Sequence, residues 1–214
     1  MILNIVKPKG WSSFDVVKKV RGITKHKKVG HAGTLDPFAT GVLIIGTEKD
    51  TKKLAQISSN YKTYEAKLKL GKTTNTLDIE GEIINYLKVP KLSSNKINEI
   101  LKSFLGKSLQ IPPMFSAKKY KGIRLYKLAR KGIEVKREPV NINIKQIDLI
   151  SFKNNSINFS VECSKGTYVR VLGINIAQKL NTIGYLSSLK RIKVGDYDIS
   201  TSITIQDLEE EWKY

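Results

Sequence analysis

A single carboxylate, Asp36, stands in the middle of the stretch Val29–Gly46, which reads VGHAGTLDPFATGVLIIG. Gly30 and Gly33 precede it and permit backbone conformations that other residues resist, so the chain can turn tightly and approach a ligand there. Pro37 fixes its own φ angle and favours an extended backbone at Asp36. A carboxylate on such a stiff loop can serve as a nucleophile or as a general base. An Asp-Pro pair is also common in turns and loops that have no catalytic role. The residues alone therefore leave a purely structural role for Asp36 equally open.

The elements that surround this loop are predicted from the spacing of apolar residues. Val42–Ile45 is typical of a short buried strand, and Ile2–Val6 of a strand that ends at the turn Lys7–Gly10. Ser12 or Ser13 is expected to cap a helix. The inner face of that helix is predicted to contain Phe14, Val17 and Val20. The helix surface and the next loop contain a group of cations: Lys18, Lys19, Arg21, Lys25, Lys27 and Lys28. Such a group is usually only a solvated face. Because this group leads directly into the Asp36 loop, it suggests phosphate binding.

Further strands and helices are predicted downstream. Tyr64–Leu70 alternates strictly and indicates a half-solvated strand, and residues 71–81 form a long polar loop. Ser94 is expected to cap a helix, and Asn154–Asn155 to turn between two strands. The apolar stripe of the capped helix is Ile97, Ile100, Leu101, Phe104 and Leu105. The last predicted elements are a helix over Val169–Leu180, an apolar segment with Leu186, Leu189, Ile192 and Val194, and a short acidic helix over Ile205–Tyr214.

The composition favours a polyanionic partner. The chain has 214 residues, 38 Lys and Arg against 19 Asp and Glu, and a formal net charge of +19. Such an excess most simply indicates nucleic acid, although a membrane surface would also attract it. No apolar run approaches the roughly 20 residues of a membrane span, and the N-terminus lacks the layout of a signal peptide. The one cysteine excludes an intrachain disulfide, which fits a cytoplasmic protein.

The densest group of cations lies between Lys118 and Arg137. This segment has nine Lys and Arg residues opposed by Glu134 alone, with Tyr120 and Tyr126 interleaved. Cations that meet phosphates, beside rings that stack on unpaired bases, are typical of an RNA-binding surface. The alternative is a basic amphipathic helix buried along its apolar side, and both can hold for different faces. That apolar side would contain Leu125, Leu128 and Ala129.

Six motifs, in order along nearly the whole chain, resemble those of the TruB family of tRNA pseudouridine synthases. They are KPKGWSSFDVV, HAGTLDPFATGVL, KTYEAKLKLG, IPPMFSAKKYKGIRLYKLARKG and SKGTYVRVLG, followed by LSSLKR. The resemblance implies an α+β pseudouridine synthase fold, with a mixed, mostly antiparallel sheet flanked by helices. It also implies one catalytic domain over residues 1–214, with a thumb-like basic insertion between Ile111 and Glu138.

The same resemblance assigns roles to individual residues. Asp36, the aspartate of GTLDP, is the catalytic residue, Tyr64 is the active-site aromatic, and Arg170 is the arginine that pairs with the catalytic aspartate. His31 matches a histidine that packs against the bases of the rearranged T-loop. The remaining residues that match substrate-binding positions of the family are Tyr168, Leu189 and Asp78, together with Lys118, Lys119 and Lys121 on the thumb.

The implied reaction isomerises the T-loop uridine at tRNA position 55. Uracil is detached at N1, rotated and rejoined through C5, so we expect no cofactor and no metal. Asp36 either attacks the ribose or removes its C2′ proton to give a glycal, and the residues leave both routes open. Arg170 would hold Asp36 charged and oriented, since a guanidinium can form a planar bidentate pair. The flipped base would stack on Tyr64.

The expected partner is the T-arm of tRNA, bound by a monomer in the cytoplasm without a protein partner. Family members commonly continue into a small C-terminal RNA-binding domain of the PUA type, and we expect this chain to lack it. Two alternatives remain at this stage. One is a guide-RNA-dependent synthase, and the other is a non-catalytic RNA-binding protein or tRNA-folding chaperone, against which the presence of Asp36, Tyr64 and Arg170 argues.

Overall fold

The computed structural model describes residues 1–212, so the last two residues of the predicted acidic helix, Lys213 and Tyr214, lie outside the described residues. The strands are β1 (Ile2–Lys7), β2 (Val29–His31), β3 (Thr40–Thr47), β4 (Lys62–Leu70), β5 (Lys72–Thr74), β6 (Ile83–Tyr86), β7 (Gly106–Gln110), β8 (Lys119–Tyr120), β9 (Ile123–Arg124), β10 (Val140–Lys153), β11 (Ser156–Cys163), β12 (Gly184–Val194) and β13 (Tyr197–Asp198). The helices are α1 (Ser13–Thr24), α2 (Leu54–Ile57), α3 (Ser94–Lys102), α4 (Leu125–Ala129), α5 (Val169–Lys179) and α6 (Ile205–Glu211). The chain divides into two compact units, Met1–Glu65 with Ser188–Tyr214, and Ala66–Ser187. None of the described helices is both long and apolar enough to cross a membrane.

In the first unit β3 is the central strand. It pairs antiparallel with β1 and β2 and parallel with β12, where Lys190 lies opposite Thr40 and Arg191 opposite Gly41. Val42–Ile45 is fully buried, as the apolar run predicts. The mixed, mostly antiparallel sheet of the expected α+β fold is therefore confirmed.

Helix α1 packs its apolar side into the core of the first unit. Its cap is Ser12, whose hydroxyl accepts a hydrogen bond from the backbone of Asp15, while the Asp15 carboxylate accepts one from the backbone of Ser12. The buried apolar residues are Val16, Val17, Val20 and Ile23. The prediction that Phe14 lies on the inner face is wrong, since its side chain is 55% exposed. With 3.6 residues per turn, Phe14 lies roughly 120° around the helix from Val20.

In the second unit β10 pairs antiparallel with β11 and with β7. The predicted turn between β10 and β11 is confirmed, because Asn154 and Asn155 both adopt positive φ angles, 52° and 56°. Residues 71–81 are not one long loop, since β5 pairs with β6. The cap of α3 is Ser93 rather than Ser94. This helix ends at Lys102, so Phe104 and Leu105 lie beyond it and Leu105 is 49% exposed.

The basic segment between β7 and β10 leaves and rejoins the sheet at one place. Gln110, the last residue of β7, lies directly opposite Val140, the first residue of β10. Between them the chain forms the small β8–β9 hairpin and the short helix α4. Leu125 is the one buried residue of α4, so most of the segment's length faces outward.

Candidate active site

The loop that contains Asp36 is fixed on both sides of this residue. The Ser13 hydroxyl accepts a hydrogen bond from the backbone N–H of Leu35 at 2.8 Å and donates one to the carbonyl of the same residue at 3.2 Å. On the other side, the carbonyl of Pro37 accepts hydrogen bonds from the backbone N–H of Gly10 at 2.8 Å and from Lys7 Nζ at 3.2 Å. Leu35 is buried, whereas Asp36 remains half-exposed, so the loop presents its carboxylate from a rigid base.

A buried lysine connects this loop to the N-terminal turn. The side chain of Lys7 is completely inaccessible to solvent, and its Nζ also donates hydrogen bonds to the carbonyls of Pro8 at 2.8 Å and Trp11 at 2.6 Å. A buried charge is tolerated only when it is paired or hydrogen-bonded in this way. The turn KPKG and the Asp36 loop are therefore tied to one cation.

A buried arginine, Arg191, fixes the start of the loop. Its Nε donates to the carbonyl of Val42 at 2.7 Å and its Nη2 to the carbonyl of Gly33 at 3.1 Å. Gly33 has a φ angle of +88°, so its predicted role in a tight turn is confirmed. Gly41 is equally constrained, because at φ +102° a Cβ atom there would lie 2.2 Å from the carbonyl oxygen of Arg191. Gly30 differs from the prediction, as it lies within β2, where a Cβ atom would crowd Leu54 at 3.1 Å.

The surroundings of His31 lower the pKa of its ring and so favour the neutral imidazole. His31 pairs with Ile45 at the end of β2, and burial of the ring lowers its pKa below the usual value of 6.5. The positive charge of Arg191 lowers the pKa further, while a hydrogen bond to the backbone of Gly33 opposes the shift. A neutral ring is better suited to packing against nucleobases than to contacting a phosphate. Packing against bases is the role that the resemblance implies for His31.

Two more predicted site residues belong to the first unit. Tyr64 lies on the buried phase of β4 with 8% of its surface exposed, as the alternation predicts. Leu189 is 5% exposed and immediately precedes Lys190, which pairs with Thr40 at the start of β3. It therefore lies beside the point where the Asp36 loop enters the sheet.

In the second unit the structure brings Arg170 and Asp78 together. Both side chains are at most 5% exposed, and Arg170 Nη1 lies 3.3 Å from Asp78 Oδ2. The guanidinium also donates to the carbonyls of Thr76 at 2.7 Å and Phe115 at 2.8 Å. Asp78 Oδ1 accepts from the Thr76 hydroxyl at 2.7 Å and from the backbone N–H of Glu80 at 3.1 Å. Arg170 thus joins the loop between β5 and β6 to the start of the basic segment.

Tyr168 is positioned through its backbone. The side-chain amide of Gln110, itself buried, accepts from the N–H of Tyr168 at 2.8 Å and donates to its carbonyl at 3.2 Å. This pair of bonds fixes the entrance to α5 and hence the direction from which Arg170 enters the core. Among the predicted lysines, Lys119 and Lys121 are exposed and Lys118 is half-exposed.

The sequence patterns assign no role in holding these groups to four residues that do hold them: Lys7, Ser13, Gln110 and Arg191. Lys7, Ser13 and Arg191 fix the Asp36 loop. Gln110 fixes the backbone of Tyr168. A polar residue on the buried phase of a strand could have marked Lys7, Gln110 and Arg191. Ser13 begins a helix and has no such mark. The described residues contain no group of three or more His, Cys, Asp or Glu side chains that could hold a metal ion.

Comparison with known proteins decides the family. The model of the TruB family pseudouridylate synthase N-terminal domain matches residues 21–169, a range that includes Asp36, Tyr64 and Asp78. The chain belongs to the TruB family. The resemblance seen in the motifs is therefore confirmed, and the chain is a member of an enzyme family of isomerases.

Curated relatives in the TruB family match nearly the whole chain. The tRNA pseudouridine synthase B of Clostridium tetani is 45% identical over 210 residues, which is 98% of this chain and 73% of that protein. The protein of the same name from Clostridium acetobutylicum is 47% identical over 98% of this chain and 72% of its own length. These relatives therefore contain additional sequence outside the matched region.

Solved structures give the same fold. A chain in a crystal structure of a Cbf5–Nop10–Gar1 complex has a TM-score of 0.77 at 27% identity and covers 98% of this chain. A chain in an archaeal box H/ACA sRNP Nop10–Cbf5 complex has a TM-score of 0.72 at 23% identity, which is evidence for the fold alone. The TruB-family chain spans about half the length of these chains, 53% in both cases.

Replacing Arg170 with Met should destabilise the protein strongly. The change would remove the guanidinium that lies 3.3 Å from the buried Asp78 carboxylate, and breaking a buried ion pair typically costs about 3–5 kcal/mol. The measurement is the free energy of unfolding by urea denaturation. Arg130→Met is the matched control, since Arg130 is exposed and its loss should cost at most about 0.5 kcal/mol. Equal stabilities of the two variants would contradict the assigned role.

The imidazole of His31 should titrate below pH 6.5 in the folded protein. In the unfolded chain the residue binds a proton near pH 6.5, so the unfolded state takes up protons first as the pH falls. The contribution of His31 to stability is therefore complete above this pH and declines as the pH falls towards the folded pKa. Ring-proton NMR, with His31→Gln to assign the resonance, measures the pKa, and a value at or above 6.5 would refute the prediction.

Proposed function

We propose that this TruB-family chain isomerises the T-loop uridine at position 55 of tRNA to pseudouridine, with Asp36 as the catalytic residue. The observation that carries the proposal is the Asp36 loop itself. The side chains of Ser13 and Lys7 hold the backbone of Leu35 and Pro37 on both sides, while Asp36 between them is half-exposed. A group that must reach a ribose and keep its orientation needs this combination, because misplacement of a reacting atom by about 1 Å can cost 100-fold in rate.

The choice of substrate rests on the curated relatives, which are named tRNA pseudouridine synthase B and are 45–47% identical to this chain. The T-loop uridine is stacked in folded tRNA and must be flipped out, at a cost of a few kcal/mol. Stacking of the base on the Tyr64 ring would return about 1–3 kcal/mol of that cost. His31 would occupy space that the flipped bases leave, and Leu189 and Tyr168 would each contact the substrate.

The basic segment is the proposed grip on the T-arm. It projects from a single point of the sheet, between Gln110 and Val140, and the residues Lys119, Tyr120 and Lys121 at its β8–β9 hairpin are exposed. Lys121 Nζ lies 5.7 Å from the centre of the Tyr120 ring, so a positive charge and an aromatic ring lie side by side on this surface. The hairpin thus presents the groups that phosphates and unpaired bases bind.

The reaction moves one bond within the nucleotide, so the proposal includes no cofactor. The protein acts as a monomer in the cytoplasm and needs no protein partner.

The pairing of Arg170 with Asp36 that the resemblance implies is part of the proposal. Asp36 acts either by attack on the ribose or by removal of the C2′ proton.

Asp36→Asn should abolish isomerisation while tRNA binding persists. An amide can neither attack the ribose nor accept its proton, and loss of such a group lowers rates by about 10²–10⁴-fold. The assay incubates the protein with unmodified tRNA and maps pseudouridine by carbodiimide labelling and reverse-transcription stops. Asp196→Asn is the matched control, because Asp196 is an exposed aspartate of the same unit. A T-loop stop of undiminished strength with Asp36→Asn would refute the assignment, and binding without any stop in the wild type would favour the tRNA-folding chaperone.

Changing Lys118, Lys119 and Lys121 together to Gln should weaken tRNA binding and flatten its dependence on salt. Each phosphate contact contributes about 0.7–0.9 to the slope of log K against log salt, so the slope should fall by about 2 to 3 in magnitude. The control changes three exposed lysines elsewhere, Lys49, Lys52 and Lys153, to Gln. An unaltered slope in the first variant would place the RNA on another surface.

A further inference from the structure

An aromatic side chain begins a basic stripe on the outer face of α1. Phe14, Lys18 and Arg21 follow one another at spacings of four and three residues, which aligns them along one side of the helix. Lys25 is the capping residue directly beyond the end of the helix. We call these four residues the α1 stripe. Phe14 is 55% exposed, and Lys18 Nζ lies 5.1 Å from the centre of its ring. A large aromatic ring in water beside a cation is available to a partner.

The cations of the stripe are exposed, and within the described part of the chain only Lys18 is attracted by a nearby carboxylate, that of Asp15 one turn before it. Among residues 1–212, Lys18, Arg21 and Lys25 form no ion pair, although Lys19 on the neighbouring side of the helix pairs with Glu209 of α6. The acidic helix α6 packs against α1 on that side. The carboxylate of Asp15 is engaged by the capping box at Ser12. The structure therefore separates the cations of this region into one that is neutralised internally and three that face outward.

The stripe begins at the Asp36 loop. Ser13, the residue before Phe14, is the one whose hydroxyl holds the backbone of Leu35, next to Asp36. From Phe14 the stripe follows the helix to Arg21, about 10 Å at 1.5 Å per residue, and ends at Lys25, directly beyond the last helical residue. A strand that has one nucleotide at Asp36 and continues along α1 would meet the aromatic ring first and the three cations afterwards.

We propose that the α1 stripe binds the RNA strand next to the reacting uridine, with Phe14 stacked on an unpaired base and Lys18, Arg21 and Lys25 in contact with successive phosphates. This inference rests on the proposed function, since it assumes that the substrate is RNA. Cations that contact phosphates, together with an aromatic ring on which a base can stack, are a combination by which proteins bind single-stranded nucleic acid. A membrane-binding face would need a broader apolar area.

The first test changes Lys18, Arg21 and Lys25 to Gln and measures tRNA binding over a range of KCl concentrations. At about 0.7 per contact for a single strand, the salt slope should fall by about 2 in magnitude. The Lys49, Lys52 and Lys153 variant is again the control, with an unchanged slope expected. A stripe variant whose slope equals that of the control would overturn the proposal.

The second test concerns the ring alone. Phe14→Ala should bind tRNA about 5-fold or more weakly, because base stacking on an aromatic side chain contributes about that factor at least, and Phe14→Trp should restore binding. Since the side chain is exposed, both variants should fold with wild-type stability in urea. Equal affinity of the Ala and Trp variants would refute base stacking.

The two proposals fail separately. Pseudouridine formation by the wild-type protein is measured on the same tRNA. If the wild type makes no pseudouridine but the stripe variant still loses its salt slope, the RNA contact stands and the catalytic proposal fails. If the wild type is active and the stripe variant binds tRNA as the control does, the stripe has no role in RNA binding. Retained tRNA binding with lost adsorption to vesicles of anionic phospholipid would assign the stripe to a membrane surface.

Discussion

The position of Asp36 depends on one requirement, that buried backbone N–H and C=O groups find hydrogen-bond partners. The loop that contains this residue turns too sharply to pair its own groups in a ladder. Ser13, Lys7 and Arg191 supply the partners instead, from positions 22, 30 and 158 residues away from those they bind. The loop conformation is therefore encoded mainly outside the loop.

The second unit meets the same requirement with the same chemistry. Arg170 and Gln110 are buried polar side chains that bind carbonyl groups of loops rather than one another. A buried guanidinium loses its hydration, and the carbonyls of Thr76 and Phe115 together with the Asp78 carboxylate offset that loss. Each unit therefore relies on a buried cation to fix the loop that contains predicted site residues.

Local patterns predict the parts of the fold that depend on neighbours in the sequence. The alternation in β4 and the Asn154–Asn155 turn were predictable because their causes lie within a few residues. Motif resemblance was needed to single out Asp36, since one aspartate has no characteristic spacing. Phe14 was misassigned because an apolar residue near the start of a helix carries no mark of which side will be covered. Arg191 was missed because its partners are remote in the sequence.

The pairing of Gln110 with Val140 has a consequence for how the basic segment varies. Because both of its ends meet at neighbouring positions in one ladder, lengthening or shortening the segment leaves the register of β7 and β10 unchanged. The entropy of closing such an excursion grows only with the logarithm of its length. Natural variation in the length of this segment can therefore change how far the enzyme reaches towards its substrate without altering the sheet that supports the segment.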